Sequence, residues 1–295
     1  MKKLLYILLF VPGALFGQEL YNIVDNNFLD YLQEAYPDVI VNDSLDISAA
    51  ESIISILCDS NNINNIDGIQ YFSNLTSLSC SNNQLGSLPT LPDGLTSLVC
   101  GNNQLTSLPE LPETLNALIC ANNQIVNLPS LPEELNNLVC GNNLLLSLPE
   151  LPNNLANLIC RNNQLTVLPE LPEGLLNLIC GNNQLTNLPE LPSSLIDLTC
   201  RNNDITILPN LPNQLTNLLI DNNPIICVND YPSIFEEQLG EFPHCNEVLG
   251  LNEVIWRTPH LIKMIDVLGR EYNEHKEGMF LFYIYDNGKV EKRFI

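Results

Sequence analysis

Apolar residues in this chain return on a twenty-residue period. From Leu75 through Ile225 the frame L-x-x-L-x-C-x-N-N-x-L-x-x-L-P-x-L-P recurs in eight units. A fixed period of this length marks a solenoid, in which no unit buries a core alone and stacked units share one. In the unit that begins at Leu95, the stretch Ser97 to Cys100 alternates. Leu98 and Cys100 fall on one face and Ser97 and Val99 on the other, which predicts a short strand. Equivalent strands then lie parallel, about 4.8 Å apart, in one long sheet. Leu95, Leu98, Cys100, Leu105, Leu108 and Leu111 are predicted to point inward. The L-P-x-L-P half excludes helix interior and central strand, because proline removes a donor and fixes φ. It reads as extended, polyproline-like backbone on the outer side.

Two polar columns run through this frame. The second asparagine of each pair (Asn83, Asn103, Asn123, Asn143, Asn163, Asn183, Asn203 and Asn223) sits where the chain leaves the sheet. An inward amide both donates and accepts, so it is expected to satisfy backbone groups of its own turn and the next. The other column is sulfur: Cys80, Cys100, Cys120, Cys140, Cys160, Cys180 and Cys200, preceded by Cys58, with Ile220 in the last unit. These positions read as buried thiols acting as small hydrophobes. Stacked disulfides suit parallel neighbours poorly. A metal site wants partners such as histidine, and the repeats contain none.

The frame resembles the leucine-rich repeat in its short bacterial L-P-x-L-P form. An irregular 22-residue unit with Ile53, Ile56, Cys58, Asn61 and Ile63 precedes the eight regular ones. The resemblance implies a β-rich, curved, right-handed solenoid with the parallel sheet on its concave face. It also implies partner binding on that face.

The flanks divide the chain further. Residues 1–17 carry Lys2 and Lys3, then an apolar run to Phe16 and a small Gly17. That is the pattern of a secretory signal peptide, too short and Pro12-interrupted for a spanning helix. Residues 18–52 form an N-terminal cap with an amphipathic helix whose inner stripe is Phe28, Leu29, Leu32 and Tyr36. Residues 21–83 resemble the lead-in of secreted Bacteroidetes-type leucine-rich repeat proteins. The repeats occupy 53–225 and a C-terminal cap 226–248. Cys227 and Cys245 lie within this cap and are expected to staple it with a disulfide, which an exported setting permits. Residues 249–295 read as strands with a hairpin signal at Asn287-Gly288. This tail resembles a type IX secretion sorting domain at Asp266, Leu268-Gly269-Arg270, Tyr283 to Tyr285, Gly288 and Lys292-Arg293. It departs from that pattern at Phe280-Leu281-Phe282, and a plain β-module is the alternative.

Charge narrows the partners. Between Gln18 and Gly250 there are 27 acidic residues and two basic ones, Arg161 and Arg201. Such a body repels nucleic acid and anionic membranes. One outward strand column holds Ser77, Ser97, Ala117, Asn137, Asn157, Asn177, Asp197 and Asn217. The other holds Ser79, Val99, Ile119, Val139, Ile159, Ile179, Thr199 and Leu219. Val99 to Ile179 make an unbroken apolar stripe. It is either a contact surface or the ordinary preference of strands for β-branched residues. Arg161 and Arg201 stand just past the strands, two repeats apart, as clasps for an acidic group or as solvated charges. The outer Glu110, Glu150, Glu170 and Glu190 read as a solubilising surface rather than a calcium site. No nucleophile–base pair, phosphate loop, dinucleotide fingerprint or zinc motif occurs. The expectation is a monomeric, exported, non-enzymatic solenoid without cofactor, its partner a protein. A glycan ligand and a structural surface role are the alternatives.

Overall fold

A computed structural model describes residues 19–245 and, beyond them, the backbone of four strands. The signal-peptide segment 1–17 lies outside the described residues. The body runs to Pro243 and the tail from His244.

The chain opens with β1 (Leu20–Asn22), α1 (Asn26–Ala35), β2 (Ile40–Val41), β3 (Ser44–Asp46) and α2 (Ile47–Ala50). The parallel sheet follows: β4 (Ser55–Leu57), β5 (Ser77–Ser79), β6 (Ser97–Val99), β7 (Ala117–Ile119), β8 (Asn137–Val139), β9 (Asn157–Ile159), β10 (Asn177–Ile179) and β11 (Asp197–Thr199). After β12 (Ile207–Leu208) the ninth strand of this sheet is β13 (Asn217–Leu219), and β14 (Cys227–Val228) and α3 (Glu236–Leu239) close the body. The nine strands lie in chain order, each in parallel register with the next, so that Leu98 stands beside Leu118 and Val99 beside Ile119. A one-residue slip would turn every leucine out, so the alternation holds the register.

Each turn buries the same set. Leu95, Leu98, Cys100, Leu105 and Leu108 are buried, as are their equivalents from Leu75 to Ile220. Leu111, Leu131, Leu151, Leu171 and Leu191 are only partly buried against that core, while Leu91 and Leu211 at the same position are buried. The L-P-x-L-P stretches carry neither helix nor strand up to Leu191. In the last two turns β12 and β14 pair in parallel on that flank.

Both asparagines of each pair have a backbone task. The first of each pair, from Asn82 to Asn222, has φ between 54° and 58°. That left-handed conformation reverses the chain out of the strand, and asparagine tolerates it better than most non-glycine residues. The second asparagine reaches into the core. The Asn163 amide donates to the carbonyls of Cys160 (3.0 Å), Cys140 (3.1 Å) and Arg161 (3.4 Å), and its Oδ1 accepts from Leu145 N–H at 3.0 Å. The reach is thus to its own turn and the preceding one. The expectation of the next turn was wrong in direction: a residue just past the strand lies over the side of the sheet already laid down.

The ends are closed by side chains as well as by strands. The N-terminal cap holds the predicted helix, with Phe28 and Leu32 fully buried. It also holds a three-stranded antiparallel sheet, order β1-β3-β2, that the apolar pattern does not reveal. Each of its strands is two or three residues long, too short to show an alternation. Asp25 caps α1 through Phe28 N–H (2.9 Å), and its second oxygen accepts from Asn64 N–H (2.8 Å) and Asn65 N–H (3.2 Å). One carboxylate thus ties the cap to the first turn. The free edge of β4 is covered by two phenols. Tyr36 Oη donates to Ser55 C=O at 2.7 Å, and Leu57 N–H donates to Tyr31 Oη at 3.1 Å. An exposed edge with unpaired backbone groups invites association, and these tyrosines occupy it. At the other end Gln238 of α3 donates to Leu218 C=O at 3.3 Å. Cys227 and Cys245 are disulfide-bonded, and the other eight cysteines are free.

In the tail, β15 (Leu261–Asp266), β16 (Glu271–Tyr272), β17 (Phe280–Tyr285) and β18 (Val290–Phe294) form an antiparallel sheet of order β16-β15-β17-β18. Ile284 pairs with Val290, so β17 and β18 are hairpin neighbours. The turn residues Asn287-Gly288 lie outside the described residues, as do Leu268-Gly269-Arg270.

Candidate binding face

The strand pattern leaves one face of the parallel sheet open. In β6 to β11 the middle residue is buried and its two neighbours are half-buried. Val99, Ile119, Val139, Ile159 and Ile179 therefore form a continuous aliphatic column, each packed beside the next across the strands. The column has a polar start. Ser79 is buried, and its hydroxyl donates to the Asp59 carboxylate at 2.7 Å, so it belongs to a local network rather than to the stripe.

The amide column beside it is partly self-bonded. Asn177 donates to the side-chain oxygen of Asn157, and Asn217 donates to Asp197 at 3.0 Å. Asn137 stands in the same column. A second amide ladder runs along the left-handed positions, where Asn162 donates to Asn142 at 2.6 Å and Asn202 to Asn182 at 2.7 Å. Sequence reasoning missed this ladder. The signal was the first asparagine of each pair, a residue that suits positive φ and stacks on itself when turns are in register.

Arg161 and Arg201 are exposed. Among the described residues neither forms an ion pair or a side-chain hydrogen bond. A depression of about 320 Å³ joins the stripe to the first of them, lined by Val139, Ile159, Ile179, Arg161, Asn142 and Gly141 among others. The fold therefore gathers four of the predicted binding residues into one hollow. Val99, Ile119, Asp197 and Arg201 lie outside it, along the same face.

The cysteine column lies behind this face. Cys58 and the seven ladder cysteines are buried and free. Burial pushes the Cys58, Cys120 and Cys200 thiols up to about 12. The other five are also pushed well up, first by burial and then by repulsion from neighbouring thiolates. A thiol that stays protonated is neither a nucleophile nor a metal ligand near neutral pH. Among the described residues no three His, Cys, Asp or Glu side chains converge as metal ligands do.

In-register parallel strands, a leucine core and a buried asparagine closing each turn define a leucine-rich repeat solenoid. The chain is a leucine-rich repeat protein of the bacterial type. A family model of leucine-rich repeats, in two copies, matches residues 73–113. No curated protein sequence matches the chain. Among solved structures, YopM from Yersinia enterocolitica WA-314 is 37% identical, with a TM-score of 0.54 over 55% of this chain. The match spans 36% of YopM's own length. The functional domain of InlJ from Listeria monocytogenes, which includes a cysteine ladder of its own, is 23% identical with a TM-score of 0.57. That match covers 72% of this chain and 53% of the InlJ domain, and at this identity it shows the shared fold.

Proposed function

We propose that this chain is an exported, non-enzymatic binding protein that holds a protein partner on the open face of its sheet, the concave side in this fold. The observation that carries the reading is the aliphatic stripe ending in the Arg161 hollow. On the open face of the sheet the neighbouring column over the same turns is Ser97, Ala117, Asn137, Asn157 and Asn177, whereas this one keeps five β-branched residues half exposed in a row. Contiguous apolar surface of this kind marks contact sites. The open columns hold no aromatic ring on which a sugar could stack, so a protein is favoured over a glycan. Phage-displayed random peptides selected on the wild-type chain provide the test. Replacing Ile119, Ile159 and Ile179 together by Ser should weaken the selected binders about tenfold or more, with melting little changed because these side chains are only half-buried. Binders that hold the triple variant as tightly as wild type would place the site elsewhere.

The route to that setting is proposed from the ends of the chain. The first 17 residues serve as a signal peptide, and residues 249–295 serve as a sorting tail of the type IX kind. The antiparallel β17–β18 pair in the tail supports the second assignment. A reporter with a cleavable signal peptide, fused ahead of residues 249–295 and expressed in a host with that secretion system, should reach the cell surface or the medium. Retention in the periplasm would refute the sorting role.

A further inference from the structure

The column that follows the cysteines reads Ser81, Gly101, Ala121, Gly141, Arg161, Gly181, Arg201, Asp221. Glycine and arginine alternate over four consecutive turns, and at Gly101, Gly141 and Gly181 alike a Cβ would lie 3.1 Å from the backbone carbonyl of the next turn. A Cβ on Gly141 would lie 3.2 Å from the Arg161 Cγ, and one on Gly181 would lie 3.4 Å from the Arg201 Cγ. At Gly101, ahead of Ala121, the same Cβ would meet only backbone within that distance. Each arginine stem is therefore laid back across a glycine of the preceding turn. This bed seats two guanidinium groups along the open face, in an acidic body whose carboxylates leave both of them unpaired among the described residues.

The spacing selects the ligand. Two turns separate the arginines, which at the strand spacing is about 9.6 Å. A polyproline-type segment advances about 9.3 Å in three residues and brings residues i and i+3 to the same side. The geometry points to an extended, proline-containing peptide segment of a partner protein, running along the solenoid axis, with carboxylates at i and i+3 on Arg161 and Arg201. An aliphatic side chain between them enters the hollow of Val139, Ile159 and Ile179. This rests on the open-face reading above and adds the partner's chemistry to it. Carboxylates match the planar fork of arginine with two parallel hydrogen bonds. The long-range field of the acidic body rejects partners that are acidic throughout, so the two carboxylates belong in a segment with little net charge.

The test uses two labelled isomeric decapeptides, identical in composition and charge. One contains Glu-Pro-Leu-Glu and the other Glu-Glu-Leu-Pro, both flanked by Lys and Gly. Binding to the full chain is read by fluorescence anisotropy at about 0.15 M salt, where surface charges beyond ~8 Å are screened. The Glu-Pro-Leu-Glu peptide should bind about tenfold or more tightly than its isomer, and R161Q/R201Q should erase that difference. Equal binding of the isomers, no binding of either, or a preference untouched by R161Q/R201Q would overturn the inference. So would arginine-dependent capture of a heparin octasaccharide in preference to the peptide, or self-association of the chain that the same variant abolishes. Sensitivity to Ile159→Ser with indifference to the arginine pair would sink only this inference. Indifference to both would sink the open-face reading itself.

Discussion

Raising the pH from 8 to 10 under reducing conditions will unfold the repeat body. Eight buried thiols stand in one column. In an unfolded chain each ionises near ~8.5. In the folded stack burial holds Cys58, Cys120 and Cys200 protonated to about 12, and the others are raised in the same direction. The folded state keeps protons that the unfolded chain releases, so stability is intact below the unfolded value and falls as pH rises above it. Each thiol removes about 1.4 kcal/mol per pH unit. Eight together remove on the order of 11 kcal/mol per unit, comparable to the whole stability of a typical domain. Far-UV circular dichroism against pH should show a steep transition between about pH 9 and 10. A variant with Cys100, Cys140, Cys160 and Cys180 changed to Ala should show about half that slope. At pH 7.5 the ladder thiols of the native protein should be silent to a thiol reagent and react once denaturant is added. A flat profile to pH 10.5, or prompt thiol labelling of the native chain, would contradict a buried ladder.

The second large effect comes from one amide. Asn163→Leu keeps the size of the side chain and removes its polarity. The N–H of Leu145 then loses its partner inside the stack, and the carbonyls of Cys140 and Cys160 each keep only one of two amide donors, from Asn143 and Asn183. At about 1–3 kcal/mol for the buried N–H left unsatisfied and about 1 kcal/mol for each of the two further bonds lost, the loss is roughly 4 kcal/mol in denaturant titrations. The defect sits in the middle of a one-dimensional stack, so it should also uncouple the two halves and broaden the transition. Asn163→Asp separates polarity from shape. The carboxylate cannot donate, and at neutral pH it faces carbonyl oxygens in a dry site, so its folded pKa is raised. That variant should be at least as damaged at pH 7 and should recover as pH falls to below ~4, where the acid is protonated in both states and can donate one bond. A cost under 1 kcal/mol for Leu, or no pH dependence for Asp, would show that the asparagine column is not what ties turn to turn.

Much of the fold was legible because the repeat states it eight times. The leucine positions, the strand alternation and the inward cysteines follow from period alone, and the predicted helix of the cap follows from Phe28 and Leu32 at helical spacing. The Tyr31 and Tyr36 phenols on the β4 edge were not legible. Their partners are backbone groups, which every residue carries and no pattern marks. The same blindness hid the backward reach of Asn163, since sequence shows that an amide is buried but not which turn it bonds. At the face, the stripe from Val99 to Ile179 was readable as a column. Its gathering with Arg161 into one hollow was not, because that depends on where the arginine stem lies. Gly141 and Gly181 were visible as letters, but their meaning waited for the Cγ atoms above them.

By itself, the sequence determined that this protein is a solenoid, which residues fill its core and which columns stay outside. Periodicity carries that information, because burial repeats with the turn. Only the tertiary structure decided how turns are tied, how the edges are sealed and where two cations sit over two glycines. Those features depend on contacts between residues one turn apart, whose direction and distance no alternation of apolar and polar positions contains.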